Sequence, residues 1–478
     1  MLIDLKNAFS YPLNEDFFIR EIQITGLQGI VTLFFLDGMS DRVVIEDHII
    51  KPLMQVNLLE SGAISQEFLQ NVIQVKGIQP ISDFIDAKTE ILNGNTILYA
   101  EQFNFILSLA TSKIEHRAID RPQNEQVLKG PNEGFIESAQ INRSLIRKQL
   151  RNEHLISESM IIGKRDLSKV SLLYINNLVN KELLQQVKHK ILQINTDSLG
   201  NISLLEQYME ERPYSLVPTV LYTERPDRAA AFLQEGHIVV IMENSPACLI
   251  VPVTFWSFFH TAEDMYQRLL IGNFIRFIRL LGFFIALITP ALYIASTNYH
   301  AEMIPTDLLL AISARRETVP FPAIIEVLMM EIAFELIREA GIRIPTPMGP
   351  TIGIVGALIL GQASVEANII SPILVIVVAI TGMASFAIPE ISFSFMIRIT
   401  RFIFLISAAL FGLIGITVFM CFCVCYLASI RSFGVAFLSP KAPHMSASQD
   451  AITRGLLWKQ WLRPSYTQPQ DQQRKPQK

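Results

Sequence analysis

Three groups of residues in this chain have the types and spacing for chemistry. The first lies in GPTIGIVGALILGQASVEAN, from Gly349. At helical spacing Thr351, Val355, Leu358, Gln362 and Glu366 fall within about 80° of one another. Gly353, Gly356, Ala357, Ala363 and Ser364 fall on the opposite side. Gly353, Gly356 and Ala357 are candidate helix-packing positions, because small residues let neighbouring backbones approach closely. Thr351, Gln362 and Glu366 would then face water or a polar partner. In a ring of subunits they are candidate pore-facing residues, the repeated Glu supplying a negative ring for cations. Inside a single helical bundle they form one buried polar patch instead. The second group is Glu331, Glu335 and Arg338, with Glu339, sharing one face of an apolar helix. It reads either as a candidate buried charge cluster, marking a pathway or paired site, or as an i,i+4 set on a solvated face. The third is the turn Arg225 to Asp227, either a surface loop for partner contacts or a local Asx-type turn before a helix.

Enzyme chemistry finds no foothold. There is no G-x-x-x-x-G-K-[ST], no H-E-x-x-H and no G-x-S-x-G. The eight histidines are scattered, none paired at metal-ligand spacing with another His or a Cys, so no metal is expected. No cofactor is expected either. GIVG from Gly353 sits in an apolar run, which argues against a dinucleotide fingerprint. CFCVC from Cys421 splays its sulfurs around a helix, poor geometry for one ion.

The elements that position these groups follow from composition. Half of the 478 residues are hydrophobic and only 18% are charged, with mean hydropathy +0.35. That is unusual for a soluble domain. The apolar residues concentrate late. Between Arg343 and Arg398 only Glu366 and Glu390 are charged, and Phe402 to Ile430 carries no charge at all. The second stretch is long enough for a hydrocarbon core of roughly 30 Å. Net charge is −4, so no global basic field points to nucleic acid. The start lacks a basic n-region and an apolar h-region, so no cleavable signal peptide is expected.

The soluble half reads as a duplicated α/β module. LFFLDGMSDRVVIEDHI from Leu33 and LLYINNLVNKELLQQVK from Leu172 both give strand, polar turn, amphipathic helix. GNTILYAEQFNFILSLA from Gly94 and GHIVVIMENSPACLIVP from Gly236 both give a hairpin. The two offsets are about 139 and 142 residues, and matching order and spacing favour two copies of one unit. Boundaries follow: 1–130 for the first α/β subdomain, 131–260 for the second, 261–440 for a helical transmembrane domain and 441–478 for a cytoplasmic tail. A polar segment, about Glu115 to Arg151, leads into a helix carrying ESAQINRSLIRKQL.

The membrane half is expected to be an α-helical bundle of four or five spans, at about 280–298, 350–367, 370–389 and 402–430, with 322–340 ambiguous. TAEDMYQRLLIGNFIRFIRLL reads as one helix entering the membrane obliquely, capped by Thr261 with Asp264 in the capping-box position. Arg268, Arg276 and Arg279 before the first span place the N-terminal half in the cytoplasm. The tail, with seven Lys or Arg against two Asp, goes to the same side. Its Gln- and Pro-rich end reads as disordered.

KGPNEGFIES from Lys129 resembles the "RGP-(K/R)-EGF-E" signature of the GerA family, the A subunits of bacterial spore nutrient-germinant receptors. Further matches follow in the family's order: RPYSLVP, YTERPDRAAAFLQEGHIVV, VPVTFWSFFHTAEDMYQR, the run from Ile304 to Pro345, the Gly349 segment and RSFGVAFLSP. Asn132 departs from the pattern, standing where the family usually has a basic residue. The resemblance implies a multi-pass protein of the spore inner membrane. It implies assembly with a permease-like B subunit and a lipoprotein C subunit, and a homo-oligomer forming an ion-conducting path. A close relative, the stage V sporulation AF-type protein, is similar. LDGMSDRVVIEDHIIKPLM is nearer to the receptor subunits. The function expected is transduction of nutrient binding into ion release. The competing readings are a transporter and a scaffold.

Overall fold

The computed structural model describes residues 2–24, 30–55, 66–100, 105–113, 121–122, 124–343, 361–445 and 451–474. The first module opens with α1 (Leu2–Ala8), β1 (Phe17–Gln23) and β2 (Ile30–Leu36). A continuous helical run over 42–55 is α2, and α3 is Gln66–Val72. Then come β3 (Ile78–Ile81), α4 (Phe84–Leu92), β4 (Thr96–Ala100) and β5 (Phe105–Leu109). The second module repeats the list: α5 (Ala139–Gln149), β6 (Leu155–Ile162), β7 (Ser168–Ile175), α6 (Lys181–Leu192), α7 (Ile202–Met209), β8 (Leu221–Thr223), α8 (Pro226–Leu233), β9 (Ile238–Met242) and β10 (Cys248–Val251). The sheets have the same strand order, β1-β2-β4-β5-β3 and β6-β7-β9-β10-β8, with antiparallel pairing throughout the described strands. The expected duplication is therefore present strand for strand. The two expected hairpins are β4–β5 and β9–β10.

Each sheet is covered on both faces. Alternation along β7 sends Leu173 and Ile175 toward α5 and α8, and Leu172 and Tyr174 toward α6 and α7. In the first module Phe34 and Leu36 face α1 and α4, while Leu33 and Phe35 face α2 and α3. Gly94 and Gly236 end the corresponding helices at φ +90° and +86°. A side chain would be strained there, which is why both repeats carry glycine.

The single oblique helix expected from Thr261 is in fact two. α9 is Glu263–Tyr266 and α10 is Leu269–Asn298, with Gln267 and Arg268 extended between them. α10, at 1.5 Å per residue, is about 45 Å long. It runs from the second module to a far end at Tyr299. Beyond lie α11 (Thr306–Arg316), α12 (Ala323–Arg343), α13 (Pro372–Phe386) and α14 (Ile391–Ser429). α12 starts at the far end, where Glu326 accepts from the Ser371 N–H at 3.1 Å, and ends toward the module, where Arg338 donates to Ser385 at 2.6 Å. α13 runs the same way, from Leu374 beside Ile294 to Ala387 beside Gly282.

The uncharged run 402–430, expected as one crossing, is not one. At Gly412 (φ 58°, ψ −138°) the helix breaks, and α14 becomes a hairpin of two arms. Phe404 and Phe419 stack edge-to-face 4.7 Å apart, and Ser407 Oγ donates to Gly415 O at 2.9 Å. A straight helix would hold Phe404 and Phe419 about 22 Å apart. Only glycine takes the Gly412 conformation without strain, and Tyr299 packs 3.1 Å from where its Cβ would sit. Tyr299 Oη also donates to Ala409 O at 2.5 Å, pinning the hairpin tip to the end of α10. Two helices, Leu269–Asn298 and Ile391–Ser429, are long and apolar enough to cross a membrane. Pro372–Phe386 is apolar but shorter. The 350–367 span falls mostly outside the described residues.

The tail also differs from expectation. Its stretch 451–474 lies against the second module and α10 rather than being free. Arg454 is 6% exposed. Its Nη1 donates to Asp264 O at 2.6 Å, and its N–H to Asn273 Oδ1 at 2.7 Å. Gln470 N–H donates to Leu178 O at 2.9 Å. The polar composition that reads as disorder is used here to satisfy loop carbonyls.

Candidate functional site

One charged cluster sits where the module meets the helical half, and a second lies among the helices. The first is built on Asp264, 1% exposed, at the start of the membrane helices. Arg279 Nη1 reaches its two oxygens at 2.7 and 2.9 Å, and Arg276 Nε reaches Oδ2 at 3.1 Å. Thr261 donates both its N–H and its hydroxyl to the same carboxylate at 3.1 Å. The expected Thr261–Asp264 capping relation is present, but Asp264 does more than cap. It folds α9 back so that two arginines, one turn apart on α10, close on it. Burial pushes its carboxyl up, but Arg279, Arg276 and the Thr261 N–H together outweigh burial and hold it below the ordinary range. Gly272 permits the approach, since a Cβ there would lie 2.9 Å from Asp264 O.

Beside it, Arg225 and Asp227 are buried, 2% and 9% exposed, not on a surface loop as one sequence reading had them. Arg225 forms a fork with Asp227 at 2.8 and 3.1 Å. Its remaining donors reach Pro131 O at 2.8 Å and Glu125 O at 3.1 Å. Tyr266 Oη donates to Asp227 Oδ2 at 2.6 Å. Burial, with Asp227 as acceptor, pushes the Tyr266 hydroxyl well up. The turn therefore clamps the KGPNEGF segment and α9 onto α8. Gly130 packs against the Tyr266 ring at φ +134°, which no side chain would tolerate there. Aromatic packing continues the joint: Phe255, Phe258 and Phe259 meet Phe283 of α10 and Phe393 of α14 at 5.3 to 5.9 Å.

The second cluster lies among the helices. Arg401 Nη2 lies 2.9 Å from Glu331 and 2.8 Å from Glu335, and Arg398 pairs with Glu335. Arg338 bonds Ser385 and lies over the rings of Phe334 and Phe386. Glu331 and Arg401 are 0% and 1% exposed. Of the two readings of Glu331, Glu335 and Arg338, the arrangement is thus the buried one for Glu331, with Glu335 and Arg338 partly covered. Three helices are tied by three guanidinium groups and two carboxylates. Arg398 and Arg401 pair here with carboxylates distant in sequence. Their partners lie more than sixty residues upstream, and no local spacing announces them.

The remaining expectations are placed as follows. Gln362 and Glu366 lie on a helical turn, 361–366, and are exposed. Thr351, Gly353, Gly356 and Ala357 lie outside the described residues. Among the described residues no group of three or more His, Cys, Asp or Glu could hold a metal ion.

Comparison with known proteins follows the same outline. The family model "Bacillus/Clostridium GerA spore germination protein" matches residues 4–466. "Spore germination protein KA" of Bacillus subtilis is 38% identical over 464 residues, 96% of this chain and 85% of that protein. "Spore germination protein GerLA" of Bacillus cereus is 35% identical over 90% of this chain and 87% of its own length. Among solved structures, the N-terminal domain of the A subunit of the Bacillus megaterium spore germinant receptor GerK3 aligns with 53% of this chain and 94% of its own. Its sequence identity is 23% and its TM-score 0.41.

Proposed function

Because this chain belongs to the GerA family of spore germination proteins, we propose that it is the A subunit of a nutrient-germinant receptor in the spore inner membrane. It turns nutrient binding elsewhere in the complex into ion release. A permease-like B subunit and a lipoprotein C subunit are its partners, and copies of the chain assemble in the membrane around a cation path. The observation that carries this reading is the family match across both modules and the helical half together. The joint adds physical support. A force on the second module reaches α10 through Asp264, Arg276 and Arg279, and reaches the α14 hairpin through the Phe255–Phe393 packing.

Among the described residues, five helical runs cross in this reading. α10, α12, α13 and the two arms of α14 each join the module face to the far face. Contacts of the tail with the second module and α9 keep them on one side in this reading, in line with the arginines around the start of α10. On the conducting path, Thr351, Gln362 and Glu366 remain the proposed lining. Replacing Gln362 and Glu366 by Ala and following ion release from spores tests this. Unchanged kinetics at normal protein levels remove those two residues from the path. The AF-type alternative keeps the same membrane role with a different partner, and pull-down of a permease-like protein separates the two.

A further inference from the structure

The duplication lets one module be used as a control for the other. Strand β2 ends at Leu36 and β7 at Ile175, each followed by a four-residue turn into a helix capped by Asp41 or Asn180. Asp37 therefore corresponds to Asn176. Asn93 and Glu235, each preceding its positive-φ glycine, correspond as well. These positions form one edge of each module, and on both modules that edge is covered by the same chemistry. On the first module, α5 of the second supplies Gln140 Nε2 to Asp37 Oδ2 at 2.9 Å, and the second residue after α5 supplies Arg151 Nη1 to Asn93 Oδ1 at 2.7 Å. On the second module, the tail supplies Gln470 Nε2 to Asn176 O at 3.4 Å and Val179 O at 2.8 Å, and Arg474 pairs with Glu235. One glutamine amide and one guanidinium thus seat on equivalent loops twice, once from a folded module and once from an irregular segment of tail.

We infer that this edge is a module-docking surface, and that the tail occupies on the second module the place a further module would take. The occupant that fits is the first module of a second copy. Its α1 packs on its own sheet as α5 does, with Leu5 and Phe9 against Ala87 and Ile91, where α5 sets Leu145 and Ile146 near Ala229 and Leu233. The outer side of that end exposes Ile3 (70%), Tyr11 (45%) and Leu13 (44%). Such a contact joins one face to a different face and so is head-to-tail. Anchored in one membrane plane, head-to-tail contacts close into a ring. The tail is then a strap whose release exposes the edge. This inference rests on the ring proposed above and specifies its soluble contact.

The test uses the full chain in lipid bilayers, with Cys421, Cys423 and Cys425 replaced by Ser and the buried Cys248 retained. One tagged copy carries Asn176→Cys and a differently tagged copy Ile3→Cys, and the disulfide between the two tags is measured. Arg474→Glu sets two carboxylates together under the strap and should raise that disulfide about tenfold, the factor for losing roughly one charge-assisted hydrogen bond. Adding Glu235→Arg to Arg474→Glu should restore the pair and bring the yield back to the starting level, which separates strap release from misfolding. No rise with Arg474→Glu overturns the inference. Oligomers that form without this disulfide overturn it too, while leaving the ring intact. A chain that stays monomeric in every bilayer preparation overturns both.

Discussion

Asp264→Asn is the perturbation that bears hardest on the joint between module and membrane. The substitution keeps the shape and removes one negative charge from between Arg276 and Arg279, which are 4% and 9% exposed. Two buried cations would then lie side by side without the carboxylate they share, Arg279 keeping Phe259 O at 3.1 Å and Thr261 Oγ1 at 3.0 Å. Removing one partner of a buried ion pair costs about 3–5 kcal/mol. The loss should appear locally, as opening of α9 and the first turns of α10. A fall of about 3 kcal/mol in local opening free energy corresponds to more than about a hundredfold faster amide exchange there. Hydrogen exchange on the detergent-solubilised chain reads this directly over residues 263–279, with β9 and β10 as internal controls. Replacing Arg276 and Arg279 by Met in the Asp264→Asn background should recover most of the protection. Exchange altered by less than about threefold would show that the carboxylate does not hold the joint, and the coupling argument would fail. The pH dependence follows in sign. The folded carboxyl is held below its ordinary value, so its contribution is complete above about pH 4 and is lost as pH falls below that.

Glu206, pushed up to about 8 by burial with Glu210 and Glu390 nearby, is favoured in its protonated form by the folded state. Its contribution is full below about pH 4.3 and declines as pH rises toward 8. Glu206→Gln should therefore flatten the melting temperature of the full chain across that window, and an unchanged slope counts against the placement. Gly412→Ala should disturb the hairpin by about 1–3 kcal/mol, from the strained conformation, and loosen Tyr299 from the tip. A tyrosine or cysteine label at Tyr299 that becomes no more accessible argues for a different turn. Single cysteines at Thr318 and Lys441 should be labelled from opposite faces of the membrane, and labelling from one face overturns the placement of α11 on the far face from the tail. Arg401→Met should destabilise far more than Arg401→Met combined with Glu331→Met and Glu335→Met, because single removal strands the carboxylates. Equal losses in detergent melts would mean that the three do not act as a pair network.

Much of the soluble half was legible because both repeats signal through the same local physics. An apolar strand from Leu33 and from Leu172, a helix cap eight residues later, and a glycine before each hairpin all depend on neighbours in sequence. The reversal at Gly412 was not legible. Both arms of the hairpin are equally apolar and uncharged, so hydropathy runs through the turn without a mark, and one glycine among several gives no direction. Glu331 and Glu335 could be placed on one helix face but not assigned to solvent or interior. That choice is made by Arg398 and Arg401, brought in by tertiary packing. Asp264 was read as a cap because its neighbours suffice for that, while its role with Arg276 and Arg279 depends on the break at Gln267. The tail was misjudged for a related reason: Gln, Pro and Arg in a low-hydropathy segment can stay solvated, or can satisfy exposed loop carbonyls when an edge such as Asn176–Val179 is there to receive them.

The most direct test of the central claim uses spores whose own nutrient receptors have been removed, supplied with this chain and its permease-like and lipoprotein partners. Ion release is recorded over a panel of amino acids, sugars and nucleosides. The account predicts release to at least one nutrient that disappears when this chain alone is omitted. Release of the same size and timing without this chain would contradict it.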